Sequence, residues 1–417
     1  MDTQSNQLRV EFTKADLRRL IVPLVIEQLL SITVGLSDSL MVSQVGEAAI
    51  SAVSLVDTVN VLLVNAFASL ATGGAVITGQ YLGRREVGKA GHSAQQLLLF
   101  MAEVSLAVMV LFYLGKGFVL NVVFGQVEAD VAAYANTYYM IVEASIPFLA
   151  LYSAGAALFR VMGNSGTSMW VSTAMNAINV VGNGLLIFVF HRGVEGVAIP
   201  TLVSRIFAAA AMLVLLRRPN LPIQVERFTF RHDRFVVKNI LHFGVPNGIE
   251  GSMFQLGKIL LLSTVSVLGT ASVAANAIGN TLASFQVVPG TALGLAIVTV
   301  VSRCVGASEY DRARYYTKKM MRTAYLYTVL VIALILACLP LILKLYNVSD
   351  QAREWATQIL WMHGLCGILI WPLAFTLPQA LRAAGDTRFT MVASTVSMWT
   401  LRVGLGVLLG RYWGFGV

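Results

Sequence analysis

The chain has 417 residues, of which 57% are hydrophobic and only 12% charged, with a formal net charge of +9. Soluble globular domains carry about a quarter charged residues, so this composition excludes one and points to a chain that lives in lipid. Three cysteines, Cys304, Cys338 and Cys366, are too few and too scattered for a disulfide framework or a thiolate metal site.

In chain order, eleven apolar spans are predicted, each able to cross a hydrocarbon core about 30 Å thick. They cover 17–43, 47–79, 93–115, 131–158, 167–190, 194–216, 237–267, 272–302, 320–344, 353–381 and 389–410. Glu11 and Asp16 precede the first of them, so no cleavable signal peptide is expected. The connections are short and rich in Gly, Pro and polar residues. The longest, 217–236, reads as a solvated cytoplasmic linker between a six-helix bundle at 1–216 and a five-helix bundle at 237–417. Pro23, Pro147, Pro246, Pro289, Pro372 and Pro378 fall at or within spans, where a missing N–H can bend a helix. The fold class is therefore an all-α polytopic membrane protein.

The chain also repeats itself. One constant shift carries Pro23 onto Pro246, Glu27 onto Glu250, Gly46 onto Gly269, Thr58 onto Thr281 and Gly83 onto Gly306. A shift shorter by a single position carries LFRVMGNSGT (Leu158–Thr167) onto ALRAAGDTRF (Ala380–Phe389). Internal duplication of this kind marks secondary transporters. Six spans separate the copies, and six is even, so both copies enter the membrane from the same face. They are expected to form parallel six-helix repeats about an axis normal to the membrane. The second copy is one span short, and a twelfth helix is expected to be missing.

The basic residues orient this arrangement. With the N-terminus cytoplasmic, 22 of the 30 Lys and Arg fall on the cytoplasmic side and 5 on the other, while Arg205, Lys258 and Arg402 lie within spans. That asymmetry obeys the positive-inside rule and predicts a multi-pass protein of the cell (inner) membrane. The net charge is thus topological, and no basic module interleaved with aromatics suggests nucleic acid.

A carboxylate within a span is costly and by default a functional candidate. Asp38 lies well inside the first span among Gly35, Ser37 and Ser39, and Glu27 sits nearly three helical turns earlier on a similar face. Asp38 can carry an exchangeable proton or join neutral oxygens around a hard cation. Asn176, Asn179 and Asn183 in the fifth span are the candidate source of those oxygens, Asn179 and Asn183 being one turn apart. The alternative is that these amides tie helices together. Glu250, the repeat mate of Glu27, is the main acid of the second half; the competing reading of it is an ion pair with Lys258 or Arg402. Asp57, Glu103 and Glu143 are lesser candidates, suited to balancing Arg205 or Arg402. Phe67, Tyr139, Met140, Met253, Phe254 and Phe285 suit either a drug cavity or helix packing.

Several segments resemble the multidrug and toxic compound extrusion (MATE) family: GLSDSLMVSQVG (Gly35–Gly46), GQYLGRREVGKA (Gly79–Ala90), LFRVMGNS (Leu158–Ser165), AINVVGNGLLIF (Ala177–Phe188) and ALRAAGDT (Ala380–Thr387). The resemblance implies a twelve-helix antiporter that exports cationic amphiphilic drugs in exchange for Na⁺ or H⁺ by alternating access, with no organic cofactor and acting as a monomer. It implies ion or substrate binding by Asp38, Asn179, Asn183, Glu250, Glu27 and Asn176, with Asp38, Asn179 and Asn183 holding Na⁺ if sodium is the coupling ion. Two differences stand out. Asn183 occupies a position where relatives often carry Asp, and the family's acid in the seventh span lies about a turn beyond Glu250, near Phe254 and Gln255. A lipid-linked oligosaccharide flippase of related architecture is the alternative; it requires a basic cavity for pyrophosphate. The five histidines are scattered and no nucleophile or HExxH motif occurs, so no enzymatic activity is expected.

Overall fold

The computed structural model describes residues 10–409 apart from 126, 224–230, 268, 345 and 347. Its described residues are helical almost throughout. The first helix, α1 (Lys14–Ser43), opens on a capping box in which Thr13 and Asp16 bond each other's backbone N–H. There follow α2 (Glu47–Gly83), α3 (Val87–Leu114), α4 (Ala129–Glu143), α5 (Ile146–Val161), α6 (Ser165–Gly184) and α7 (Glu195–Leu215). After the linker come α8 (Arg234–Ser266), α9 (Thr270–Gln286), α10 (Val288–Gly306), α11 (Tyr310–Lys344), α12 (Asp350–Trp371), α13 (Leu377–Ala384) and α14 (Thr387–Ser397). Wider π-type turns extend α6 over Leu185–Val189, join α12 to α13 over Pro372–Thr376, and extend α14 over Met398–Gly404.

Among the described residues, eight helices are long and apolar enough to cross a membrane, and nine spans result if α4 and α5, bent by 46° at their junction, count as one. The sequence predicts eleven. The difference has two physical sources. Glu250, Gln255 and Lys258 dilute the apolar character of α8, and the last predicted span is broken into short segments by the π-type turn after α14.

The duplication is written into the backbone. Gly46 (φ 134°, ψ 169°) and Gly269 (φ 105°, ψ 168°) precede α2 and α9 in a region of φ/ψ space open essentially only to glycine. Arg85 and Ser308, which the repeat places in register, share φ 61°, and the counterparts Gly163 and Gly385 both have positive φ. The hydrogen bonds that close the helix ends repeat as well: Glu86 N–H to Tyr81 O and Glu309 N–H to Cys304 O, then Asn164 N–H to Phe159 O and Asp386 N–H to Leu381 O. The Asn164 and Asp386 side chains cap α6 and α14 in the same manner.

The chain divides into two compact units, Phe12–Gly248 and Ile249 onwards, the latter including Val10 and Glu11. In the first, one core joins α2, α3, α5 and α7 through Phe67, Leu97, Leu98, Met101, Phe159 and Met212. A second core packs α4 against α2 and α7 through Val56, Tyr139 and Ala198. Small residues set the close approaches: a Cβ on Gly73 of α2 would lie 2.8 Å from the Gly244 nitrogen in the first turns of α8. The linker's end is fastened to α3, where Gln96 donates to the Arg231 carbonyl and accepts the Asp233 N–H. In the second unit, Ala275, Leu282, Leu339, Ala356 and Leu360 join α9, α11 and α12. There the Val10 N–H donates to the Glu309 carboxylate, and Arg312 donates to the Val10 carbonyl.

Candidate cation site in the first unit

The last third of α1 carries Asp38, half-buried, toward α6 and α7. The latter two helices approach closely because Gly182 has no side chain: a Cβ there would sit 2.7 Å from the Pro200 Cβ. The next residue on each helix is functional in character, Asn183 on α6 and Thr201 on α7. Asn183 is fully buried and its Nδ2 donates to Asp38 Oδ1 at 2.7 Å. Asn179, one turn earlier, places its amide beside both carboxylate oxygens, with Thr201 Oγ1 3.1 Å from its other end.

The Asn179 amide can face Asp38 with either its nitrogen or its oxygen, and the chemistry differs. With nitrogen toward Asp38, it donates to Oδ1 at 3.0 Å and Oδ2 at 3.2 Å while its oxygen faces Thr201. Turned over, its nitrogen donates to Thr201, and an oxygen stands 3.0 Å from the carboxylate. Two acceptors at that distance repel unless a proton or a cation lies between them. Thr201 suits the second orientation, since its hydroxyl proton is engaged by the Val197 carbonyl at 2.9 Å. The Asn183 oxygen is buried without a hydrogen-bond partner among the described residues, so a further acceptor is held beside the site. Oxygens of carboxylate, amide and hydroxyl together match the hard-donor preference of an alkali cation.

Around this group lies a second layer. Tyr138 on α4 donates to Asp57 on α2 at 3.2 Å, and Arg205 on α7 donates to Ser145 Oγ at 2.6 Å. Arg205 is in electrostatic range of Asp57, Glu143 and Asp38 but, among the described residues, forms an ion pair with none of them. Glu103 instead meets His232 at 2.7 Å on an exposed face of α3, midway along the helix.

The family profile described as MatE matches residues 23–185 and again 246–408. The chain belongs to the MatE family. The second match begins and ends at the same offset from the first that relates Pro23 to Pro246. The two matches are thus equal in extent, which gives no support to the expectation of a shortened second copy. Among relatives of this MatE chain, the "Probable multidrug resistance protein YoeA" of Bacillus subtilis is 27% identical over 404 residues, covering 94% of this chain and 86% of that one. The "Uncharacterized transporter YisQ" of the same organism is 26% identical over 404 residues, covering 95% and 87%. A solved structure titled as the outward-facing conformation of a multidrug resistance MATE family transporter aligns with a TM-score of 0.91 at 18% identity, over 99% of this chain and 92% of that one. The fold is thus that of MATE proteins, a family of membrane transporters rather than enzymes.

The remaining acids of the MatE repeats lie apart from Asp38. Glu27 on α1 is buried, 3.4 Å from Arg160 Nη1 and accepting from Ser168 Oγ at 2.8 Å. Its repeat mate Glu250 on α8 accepts from Arg382 at 2.6 Å, both side chains about nine-tenths buried. The pairing expected of Glu250 with Lys258 or Arg402 is therefore corrected: its partner is Arg382, the repeat mate of Arg160. Among the described residues, Asn176 makes no hydrogen bond to the Asp38 group. Phe67 and Tyr139 are buried in the two cores, whereas Met140 is 40% exposed. Sequence reasoning does not single out Thr201 or Tyr138 for the site, and it marks Arg205 only as a charge within a span to be balanced. The one sequence signal for Thr201 is its place directly after an intrahelical proline.

Proposed function

We propose that this chain is an efflux antiporter of the inner membrane, exporting cationic amphiphilic drugs in exchange for Na⁺ or H⁺ by alternating access. The observation that carries the reading is the Asp38 carboxylate held by two buried amides, one of them backed by the Thr201 hydroxyl, within the first unit. The relatives named as probable multidrug resistance proteins support the substrate class. The asymmetry of the basic residues supports a cytoplasmic N-terminus.

The mechanism follows from charge. A bare Asp38 carboxylate is stabilised by the Asn183 and Asn179 N–H groups and attracts a lipophilic cation. When Na⁺ or H⁺ arrives, Asn179 turns its oxygen toward the carboxylate, the negative charge is neutralised, and the drug loses its counter-ion. Na⁺ would be held by the Asp38 and Asn179 oxygens, with Asn183 Oδ1 as a further acceptor at the site, while Thr201 Oγ1 accepts the Asn179 N–H turned away from the cation. Glu27 acts in this scheme through its ion pair with Arg160, which fixes α1, the helix that presents Asp38, and Glu250 with Arg382 is the corresponding fastening of the second unit. Asn176 is a peripheral polar residue of α6.

The test is ethidium efflux from cells expressing wild type or Asp38→Asn at matched membrane levels, with Na⁺ and pH gradients imposed separately. The substitution keeps a side chain of the same size and removes the charge, and efflux is expected to fall to background. Export by Asp38→Asn at the wild-type rate would place the coupling group elsewhere.

A further inference from the structure

The second unit carries the opposite charge at the corresponding place. Lys258 on α8 is the repeat counterpart of Gly35, one turn from the Asp38 position, and Arg402, in the π-type turn after α14, directly follows Leu401, the counterpart of Asn179 under the shorter offset. Where the first unit gathers a carboxylate and amides, the second gathers two cations. Both converge on one aromatic ring: the Arg402 guanidinium is 5.0 Å and the Lys258 ammonium 5.7 Å from the Phe254 centroid. Phe375 meets Phe254 edge-on at 5.6 Å and stacks on Trp371 at 5.0 Å, which extends the aromatic wall. α8 is pressed against the Arg402 segment because Gly257 leaves no room for a side chain, with the Met398 methyl filling that space. The geometry is thus built by packing.

Among the described residues, no carboxylate lies within ion-pair distance of Lys258 or Arg402. The titratable group that Arg402 faces is His363 on α12, also basic and hydrogen-bonded to Gln286. Two like charges inside an apolar bundle are costly without a counter-ion, and aromatic faces compensate them only in part. Beside them opens a cavity of about 450 Å³ whose walls include Phe254, Phe375, Pro378, Ser397, Met398 and Arg402. It is apolar apart from a few hydroxyls and the one guanidinium, and its size suits a small amphiphile.

We infer that the second unit holds a binding site for an amphiphilic organic monoanion, its headgroup between Arg402 and Lys258 and its apolar body along Phe254 and Phe375. Such a site is independent of the Asp38 chemistry. It makes the chain a carrier of two ligand classes of opposite charge, one per unit.

The experiment titrates the fluorescent fatty-acid analogue dansylaminoundecanoate, and its uncharged methyl ester, into the purified full chain in a neutral maltoside detergent. The anion is expected to bind at least about tenfold more tightly than the ester, the worth of one desolvated charge-assisted contact. Lys258→Gln and Arg402→Gln, checked for monodispersity, are expected to remove that preference. Lys258→Arg and Arg402→Lys are expected to retain most of it, and Asp38→Asn to leave it intact while abolishing ethidium efflux. Equal affinity for anion and ester in the wild type overturns the site without needing any variant. So does an anion preference that survives in the well-folded Lys258→Gln/Arg402→Gln double variant. Adding phosphatidylglycerol separates the two sources of such a headgroup: displacement of the probe assigns a membrane lipid, and retention assigns a small amphiphile, either of which supports the anion site.

Discussion

A carboxylate inside a bilayer is governed by the few atoms that touch it. For Asp38 these are the Asn183 nitrogen at 2.7 Å and the Asn179 amide, whose two faces differ in what they offer. Asn183→Leu keeps the number and branching of the side-chain heavy atoms and removes the donor to the charged state. A charge-assisted hydrogen bond contributes roughly 1.5–3 kcal/mol, so half-saturation for ethidium is expected to rise about tenfold or more. Thr201→Val is expected to act differently, because it removes the oxygen that accepts the Asn179 N–H in the neutralised state but gives nothing to the bare carboxylate. It should raise the concentration of coupling ion that efflux requires, whichever ion drives the assay, and leave half-saturation for ethidium nearly unchanged. An unchanged ion requirement accompanied by lower thermal stability would show that Thr201 serves packing alone. Much of this site is legible in the sequence, because acids and paired amides at helical spacing stand out within apolar spans. Thr201 is not: a hydroxyl in a helix normally bonds its own backbone, as Thr201 does with Val197. Only the Gly182–Pro200 approach, a three-dimensional fact, brings it to Asn179.

At the level of helices, the two repeats share a fastening. Glu27 pairs with Arg160 and Glu250 with Arg382, each tying the first helix of a repeat to a later helix end. The sequence aligns all four residues by their offsets yet does not join acid to base, since the partners of each pair are separated by several intervening helices. It favours Lys258 or Arg402 for Glu250 because they lie in the same stretch of lipid. Fastening and ion binding make different predictions. Truncating Glu250 to Ala leaves Arg382 buried and unpaired, a loss of about 3–5 kcal/mol in a fully buried setting. Some residual access to water places the expected value toward the lower end. Replacing both Glu250 and Arg382 with Leu is expected to recover most of the thermal stability of the detergent-solubilised protein, and with it ethidium efflux. A double variant that regains stability but stays inactive would instead assign Glu250 a part in ion transfer. The same experiment on Glu27 and Arg160 has a further member, since Ser168 also donates to Glu27.

For the whole molecule, charge underlies both the proposed orientation and the energetics of the proposed exchange. The repeat, the helical class and the membrane location are readable from apolar run lengths and one recurring offset, because both follow from local chemistry. The span count is less readable: α8 mixes Glu250 and Lys258 into its apolar face, and π-type turns divide the last helices without any residue that announces them. In the proposed antiport, exchange of one monovalent cation for another moves no net charge across the membrane, so the electrical potential cancels from the driving force. A tenfold gradient of the coupling ion then supports about a tenfold gradient of drug, roughly 1.4 kcal/mol. In proteoliposomes, a potassium-valinomycin potential of either sign is expected to leave the final ethidium gradient unchanged, whereas collapsing the coupling-ion gradient should dissipate it. A dependence on potential would mean that more than one charge returns per drug. Glu143 would then be the first residue to substitute, because it is fully buried on α4 and neither of its oxygens has a hydrogen-bond partner among the described residues. Glu143→Gln restoring electroneutral exchange would identify it as the carrier of the additional charge.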